Sequence, residues 1–213
     1  MKTDRLIDML STNLEPASRA GTWGTLAGAI AIGGGAAFCL MLATVGLRPD
    51  LAGGAHLSFL AIKLLFVLSV IGAGAAFLIR AMVPGQEGRK PFILIFVPFA
   101  AIAAAAFAAL VIGRSPALSH MILGTQWASC LLCIPLFSIV PFAALIWALR
   151  KGAPTNLRRT GAVAGAVASS LGAAAYAFHC PDDSLPFIAI WYGAPIALWA
   201  FIGAKLGPRL LRW

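Results

Sequence analysis

GTQWASCLLCIPLFSIVPFAALIWAL, running from Gly124 to Leu149, contains no Asp, Glu, Lys, Arg or His, and Arg150-Lys151 follows it at once. A helix rising 1.5 Å per residue over this stretch exceeds the roughly 20 residues needed to cross a bilayer. No face of it offers water a charged side chain, so an amphipathic surface helix is excluded and a membrane span is predicted. Working outward, five further stretches have the same character. They run from about Thr22 to Leu47, Leu57 to Met82, Pro91 to Ile112, Leu157 to Phe178 and Ser184 to Leu206. Across all 213 residues, 61% are hydrophobic and 11% charged, against roughly 25% charged in an ordinary soluble domain. The reading is an all-α, polytopic bundle of six transmembrane helices, with the bilayer as solvent for most of the chain.

The net charge of +9 raises nucleic acid as a partner, but the distribution of charge answers it. Lys2, Arg5 and Arg19 precede the first span; Arg80, Arg89 and Lys90 lie between the second and third. Arg150, Lys151, Arg158 and Arg159 lie between the fourth and fifth, and Lys205, Arg209 and Arg212 close the chain. The opposite side carries only Arg48 and Arg114, with Lys63 inside a span. The positive-inside rule then predicts both termini in the cytoplasm, and it explains the basic balance without direct nucleic-acid binding. The expected organisation is a cytoplasmic tail over residues 1–21, a six-helix domain over 22–206 and a cytoplasmic tail over 207–213. No apolar signal-peptide core precedes the first span, which should act as an uncleaved anchor.

Within the N-terminal tail, Leu6, Ile7, Leu10 and Leu14 recur at helical spacing, with Thr3 or Asp4 available as N-cap and Pro16 as a stop. So short a helix needs a partner surface or the membrane interface to be stable. Gly24-xxx-Gly28, Gly161-xxx-Gly165 and Gly203-xxx-Gly207 fit close helix packing inside the bundle, with homodimerisation as the weaker alternative. Pro98, Pro135, Pro141 and Pro195 should interrupt their spans.

Given this topology, the chemically versatile residues collect on the outward side: Cys39, Cys130, Cys133, Cys180, His56, His120, His179, Asp50, Asp182 and Asp183. Cys130 lies near the N-terminal end of its helix, where the macrodipole favours thiolate. The short connection after the fifth span keeps Cys180 near the membrane surface and within reach of Cys130. A reversible disulfide and a metal site with His179 both fit, and so does a simple helix stop in which Asp183 or Ser184 caps the next helix. Cys39 and Cys133 read as small hydrophobes, and Cys130-Leu-Leu-Cys133 lacks a thioredoxin-like context. Lys63 is the single charge well inside a span. It should either snorkel to the outer interface or pair with Asp50 or Asp183. No catalytic motif is present, so an enzyme is not expected; the spans also lack the buried acids of proton-coupled transporters.

Several of these segments resemble the NrsF-like anti-sigma factors, bacterial inner-membrane proteins of six predicted spans that restrain an extracytoplasmic-function (ECF) sigma factor. The likeness lies in Met1-Lys2-Thr3-Asp4-Arg5-Leu6-Ile7, in Trp127-Ala-Ser-Cys130, and above all in Cys180-Pro181-Asp182-Asp183-Ser184 with Phe187 and Trp191-Tyr192. It covers essentially the whole chain. The resemblance implies that Cys130 and Cys180 are the family's paired periplasmic cysteines, linked to sensing heavy metals or oxidative stress. His179, Asp182, Asp183 and Cys133 stand beside them as further candidates for the signal site. It implies no constitutive cofactor but a transient heavy-metal ion such as cadmium or zinc, held by Cys130, Cys180 and His179. It also implies a cytoplasmic sigma-factor partner, for which Leu6, Ile7, Leu10 and Leu14 would be the apolar anchors. A small transporter or exporter, or a purely structural membrane protein, are the alternatives.

Overall fold

The computed structural model describes residues 19–49, 54–83, 89–112 and 118–212. Among them there is no strand, and six helices are long and apolar enough to cross a membrane. These are Gly21–Thr44, His56–Ala81, Phe92–Ile112, Met121–Leu149, Leu157–Ala177 and Leu185–Leu210, called the first to sixth spans below. Each begins and ends within a few residues of the stretch read from the sequence. The sixth runs further, its helix continuing through Pro208 to Leu210. The tail carrying Leu6, Ile7, Leu10 and Leu14 lies outside the described residues, as does Asp50.

The fifth span forms the centre of the bundle. It is 89% buried, whereas the third is only 17% buried. It also has the lowest hydropathy of the six, because it is built from Gly, Ala and Ser rather than Leu and Ile. In lipid an apolar side chain gains nothing by facing a neighbouring helix. Small side chains that let backbones approach mark the interior instead. The fifth span packs on the sixth, second, fourth and first, while the third lies at the edge against the second and the start of the sixth.

The closest contacts are made by glycines. A Cβ on Gly161 or Gly165 would strike the backbone carbonyls of Gly203 and Trp199 across the fifth–sixth interface. Reciprocally, Gly203 and Gly207 meet the carbonyls of Gly161 and Leu157. Gly33 lets the first span close on Pro141, and Gly172 seats the fifth span on Ser138 of the fourth. By contrast, a Cβ on Gly24 or Gly28 would meet nothing within 4 Å among the described residues, so there the other two small-residue motifs are the ones in close contact.

Three of the four prolines expected to interrupt their spans do so, whereas Pro135 lies inside the continuous helix Trp127–Phe137. Pro98 lies four residues past Leu94, where the helix Arg89–Leu94 gives way to Phe96–Ile112. Pro141 lies four past Phe137, and the fourth span breaks at Ser138. Upstream of Pro195 the sixth span widens to a π-helical turn over Ile188–Tyr192. In each case the ring cannot donate a hydrogen bond and crowds the carbonyl four residues back, so the helix yields just before the proline.

Candidate functional site: a thiol pair under a polar clamp

The link between the fifth and sixth spans, residues 178–184, is held from three directions. The first span ends in a turn in which Gly46 takes φ +72°, and its carbonyl accepts a 3.0 Å hydrogen bond from His179 Nδ1. On another side, the carboxylate of Asp182 accepts from the backbone N–H groups of Thr125 (3.0 Å) and Gln126 (2.7 Å) and from Thr125 Oγ1 (3.0 Å). Asp182 therefore caps the helix Trp127–Phe137 from outside the chain segment that forms it, supplying the acceptor that the free N–H groups and helix dipole require. Gly124 makes this approach possible. Its φ of +58° suits glycine, and a Cβ there would strike Phe187 and the Asp182 carboxyl. Further along, Ser184 Oγ donates to the Met121 carbonyl at 2.7 Å and accepts from Phe187 N–H, capping the short helix Leu185–Phe187. Trp191 Nε1 donates to the Ile122 carbonyl at 2.8 Å, and its ring packs on Trp127.

The third attachment is ionic. Lys63 is fully buried, and its ammonium donates to Asp183 Oδ1 at 2.9 Å and to the Cys180 carbonyl at 3.0 Å. Arg48, also buried, reaches the same carbonyl at 3.2 Å and Asp183 at 3.4 Å. His56 Nδ1 completes the carboxylate's partners at 2.9 Å. Lys63 thus does not snorkel to water; it reaches inward to Asp183, because a buried acceptor with matching charge outweighs extension along the span. Burial by itself would raise the Asp183 carboxyl. The hydrogen bonds from Lys63 and His56, with Arg48 behind them, nevertheless hold it below the ordinary carboxylate range.

This clamp closes over Cys130 and Cys180. Both are free and fully buried, and their sulfurs lie 3.9 Å apart. Cys130 occupies the opening turn of the helix Trp127–Phe137, with Asp182 holding that helix end. The hydrogen bond from the Cys130 thiol pulls Cys180 down to about 7 against the opposing effect of burial, and the charge of Lys63 acts in the same direction. Two phenols complete the lining: Tyr176 beside Cys130 and Tyr192 beside Cys180. Neither hydroxyl has a nitrogen or oxygen partner among the described residues. Arranged in this way, the thiols can form a disulfide by a small approach or hold one soft ion between them.

The other candidates lie elsewhere. Cys133, one turn beyond Cys130, is half-buried, and Cys39 is exposed on the bundle surface. The ring nitrogen Nδ1 of His179 is engaged with Gly46, and the side chain of His120 lies outside the description. Among the described residues no three His, Cys, Asp or Glu side chains converge as metal ligands. The sequence marks Arg48 only as a topological charge, and it places Asp182 beside the cysteines as a signal-site candidate without giving it a partner. The buried Lys63 was the available signal, because an intramembrane cation requires an acid and its neighbours to be brought to it.

No solved structure matches this chain. Two curated proteins do, each over its full length and that of this chain. The probable anti-sigma-F factor NrsF of Azospira oryzae is 34% identical over 219 residues. The anti-sigma-F factor NrsF of Caulobacter vibrioides is 31% identical over 214. Residues 10–213 match the family described as negative regulator of sigma F. With this agreement along its whole length, the chain belongs to the NrsF family.

Proposed function

We propose that this protein is a multi-pass anti-sigma factor of the bacterial inner membrane, a regulator rather than an enzyme. It holds an ECF sigma factor on its basic, cytoplasmic side and releases it when a metal or oxidant acts on Cys130 and Cys180 outside. The observation that carries the reading is the full-length match to relatives that bear the name anti-sigma-F factor. The placement of the two thiols at 3.9 Å under a shared clamp supports the sensing half of it.

The clamp suggests how a signal could cross the membrane. Cys180 is tied through Lys63 to the second span, through Arg48 and His179 to the end of the first, and through Cys130 and Asp182 to the fourth. Joining the sulfurs, or separating them around an ion, changes the position of this loop relative to all three. At the opposite end the fifth and sixth spans touch backbone to backbone at Gly161 and Gly203. There too, Arg150 Nε donates to the Leu210 carbonyl at 2.6 Å and Ala153 N–H to the Met82 carbonyl at 3.1 Å. Rigid helices in glycine contact shift together rather than bend. The sigma factor would be held by residues 1–21, with Leu6, Ile7, Leu10 and Leu14 as apolar anchors.

A sigma-dependent reporter in cells tests this. Wild type should silence it, and cadmium or peroxide should restore expression. A chain lacking residues 1–15 should leave the reporter constitutively on. Cys130→Ser and Cys180→Ser should abolish the response to the inducer while leaving the protein in the membrane. A reporter indifferent to all four proteins would contradict the anti-sigma reading.

A further inference from the structure

The third span packs on the second and on the start of the sixth. Between it and the fifth and sixth spans lies a groove of about 380 Å³, inside the roughly 300–1,000 Å³ range of small-molecule sites. Every side chain that lines it is hydrocarbon. Phe92, Phe96 and Phe99 share one stripe of the third span, and the exposed Phe96 and Ala197 form its rim at the bundle surface. Such a surface gives water no hydrogen-bond partner and matches a hydrocarbon chain.

One end of the groove is charged. On the fifth span Ala162, Val163 and Ala166 line it, and Arg159 lies three, four and seven residues before them on the same helical stripe. The Arg159 guanidinium stands over the Phe92 ring, 5.7 Å from its centre. Arg159 is exposed, and the described acids, Asp182 and Asp183, are both engaged in the clamp between the fifth and sixth spans. A hydrocarbon slot with an unneutralised cation at its end has the polarity of a phospholipid, whose apolar chains meet an anionic headgroup.

We propose that this groove is a phospholipid site. An acyl chain of an anionic glycerophospholipid lies between the third, fifth and sixth spans, and Arg159 binds its phosphate. The proposal rests on the membrane location given above and not on the sigma factor or the thiols. A guanidinium makes paired hydrogen bonds to phosphate oxygens, and basic pockets between spans select anionic headgroups on the same principle. The lipid chain fills the space that the small side chains Ala162, Ala197 and Ala200 leave, and so joins the edge span to the central one.

Full-length protein in dodecyl maltoside micelles tests this, titrated with phosphatidylglycerol or phosphatidylcholine of the same acyl chains and read by native mass spectrometry. Wild type should bind one phosphatidylglycerol roughly fivefold more tightly than phosphatidylcholine, the ratio that one Arg near an anionic headgroup supplies. Arg159→Gln should erase the preference and Arg159→Lys keep most of it. Lys151→Gln removes a cation that sits over Trp147 beside the first span, and it should leave the preference unchanged. Ala197→Phe, at the exposed rim, should weaken both lipids roughly tenfold by filling the groove. If it does not accumulate, Ala162→Leu carries the same expectation. Inorganic phosphate should not displace the lipid.

Equal binding of the two lipids by wild type would overturn the proposal. So would equal losses in Arg159→Gln and Lys151→Gln, the mark of general attraction to the basic end. Displacement by inorganic phosphate would assign Arg159 to a free anion. A dimer that Ala197→Phe dissociates would put a second copy in the groove, and lipid binding seen only after removal of residues 1–15 would put the chain's own tail there; each of these also overturns it. Protein recovered from the soluble fraction of cells would refute the membrane reading and the lipid site with it. A membrane-embedded protein with no lipid preference refutes the site alone.

Discussion

Asp183 carries the heaviest electrostatic duty of any described side chain, facing Lys63, Arg48 and His56 at once. Removing one partner of a buried ion pair typically costs about 3–5 kcal/mol, because the remaining charge is left in a medium that solvates it poorly. Asp183→Asn should therefore lower the thermal midpoint of the purified protein sharply, and Lys63→Met/Asp183→Asn should recover part of the loss. If the double variant is no better than Asp183→Asn alone, Lys63 is not the main partner. The pH dependence has a definite sign. A carboxyl held below its ordinary 3.8 stabilises fully above that value and loses its contribution as pH falls through the depressed one. The stability gap between wild type and Asp183→Asn, followed by thermal unfolding, should stay constant from pH 7 to about 4 and shrink only below. At this scale the sequence exposed Lys63 as anomalous and left it to snorkel or to pair with Asp50 or Asp183; the structure pairs it with Asp183. The sequence could not pair Arg48 or Asp182, because their partners lie 135 and 57 positions away, and only the packing of the spans brings those segments together.

Among the elements, the fifth span is the one whose chemistry decides how the rest assemble. Gly165→Ala places a methyl against the Trp199 carbonyl, which side-chain motion cannot relieve. Separating the fifth and sixth spans by even a fraction of an ångström should cost about 1–3 kcal/mol. Gly24→Ala, where a Cβ meets nothing within 4 Å, should be neutral or slightly stabilising. Melting the two variants in the same detergent checks the contrast; equal losses would mean that Gly24 also packs against something. The six spans were legible in the sequence because length, apolarity and flanking charge follow from the thickness and dielectric of the bilayer. Which span sits at the centre was written in the same residues in a less obvious form: Gly-Ala-Ser content and the lowest hydropathy. Hydrophobicity alone reports contact with lipid or protein without distinguishing them. The π-helical turn at Ile188–Tyr192 lay beyond the sequence, since Pro195 predicts an interruption but not its form.

At the scale of the whole molecule, the thiol pair and the most basic segments occupy opposite ends of one bundle whose central helix touches four others. Such an arrangement suits the proposed function, in which chemistry at one end of the bundle alters binding at the other. In the proposed function this conversion controls a sigma factor. It is tested most directly by isolating membranes containing the full chain and its sigma factor and quantifying sigma retained before and after peroxide or cadmium. Near-complete retention is expected at rest, with loss of most of the bound sigma on treatment. Retention should be unchanged by treatment in Cys130→Ser and Cys180→Ser. Sigma that never sediments with wild-type membranes, or that leaves the cysteine variants as readily as wild type, would contradict it.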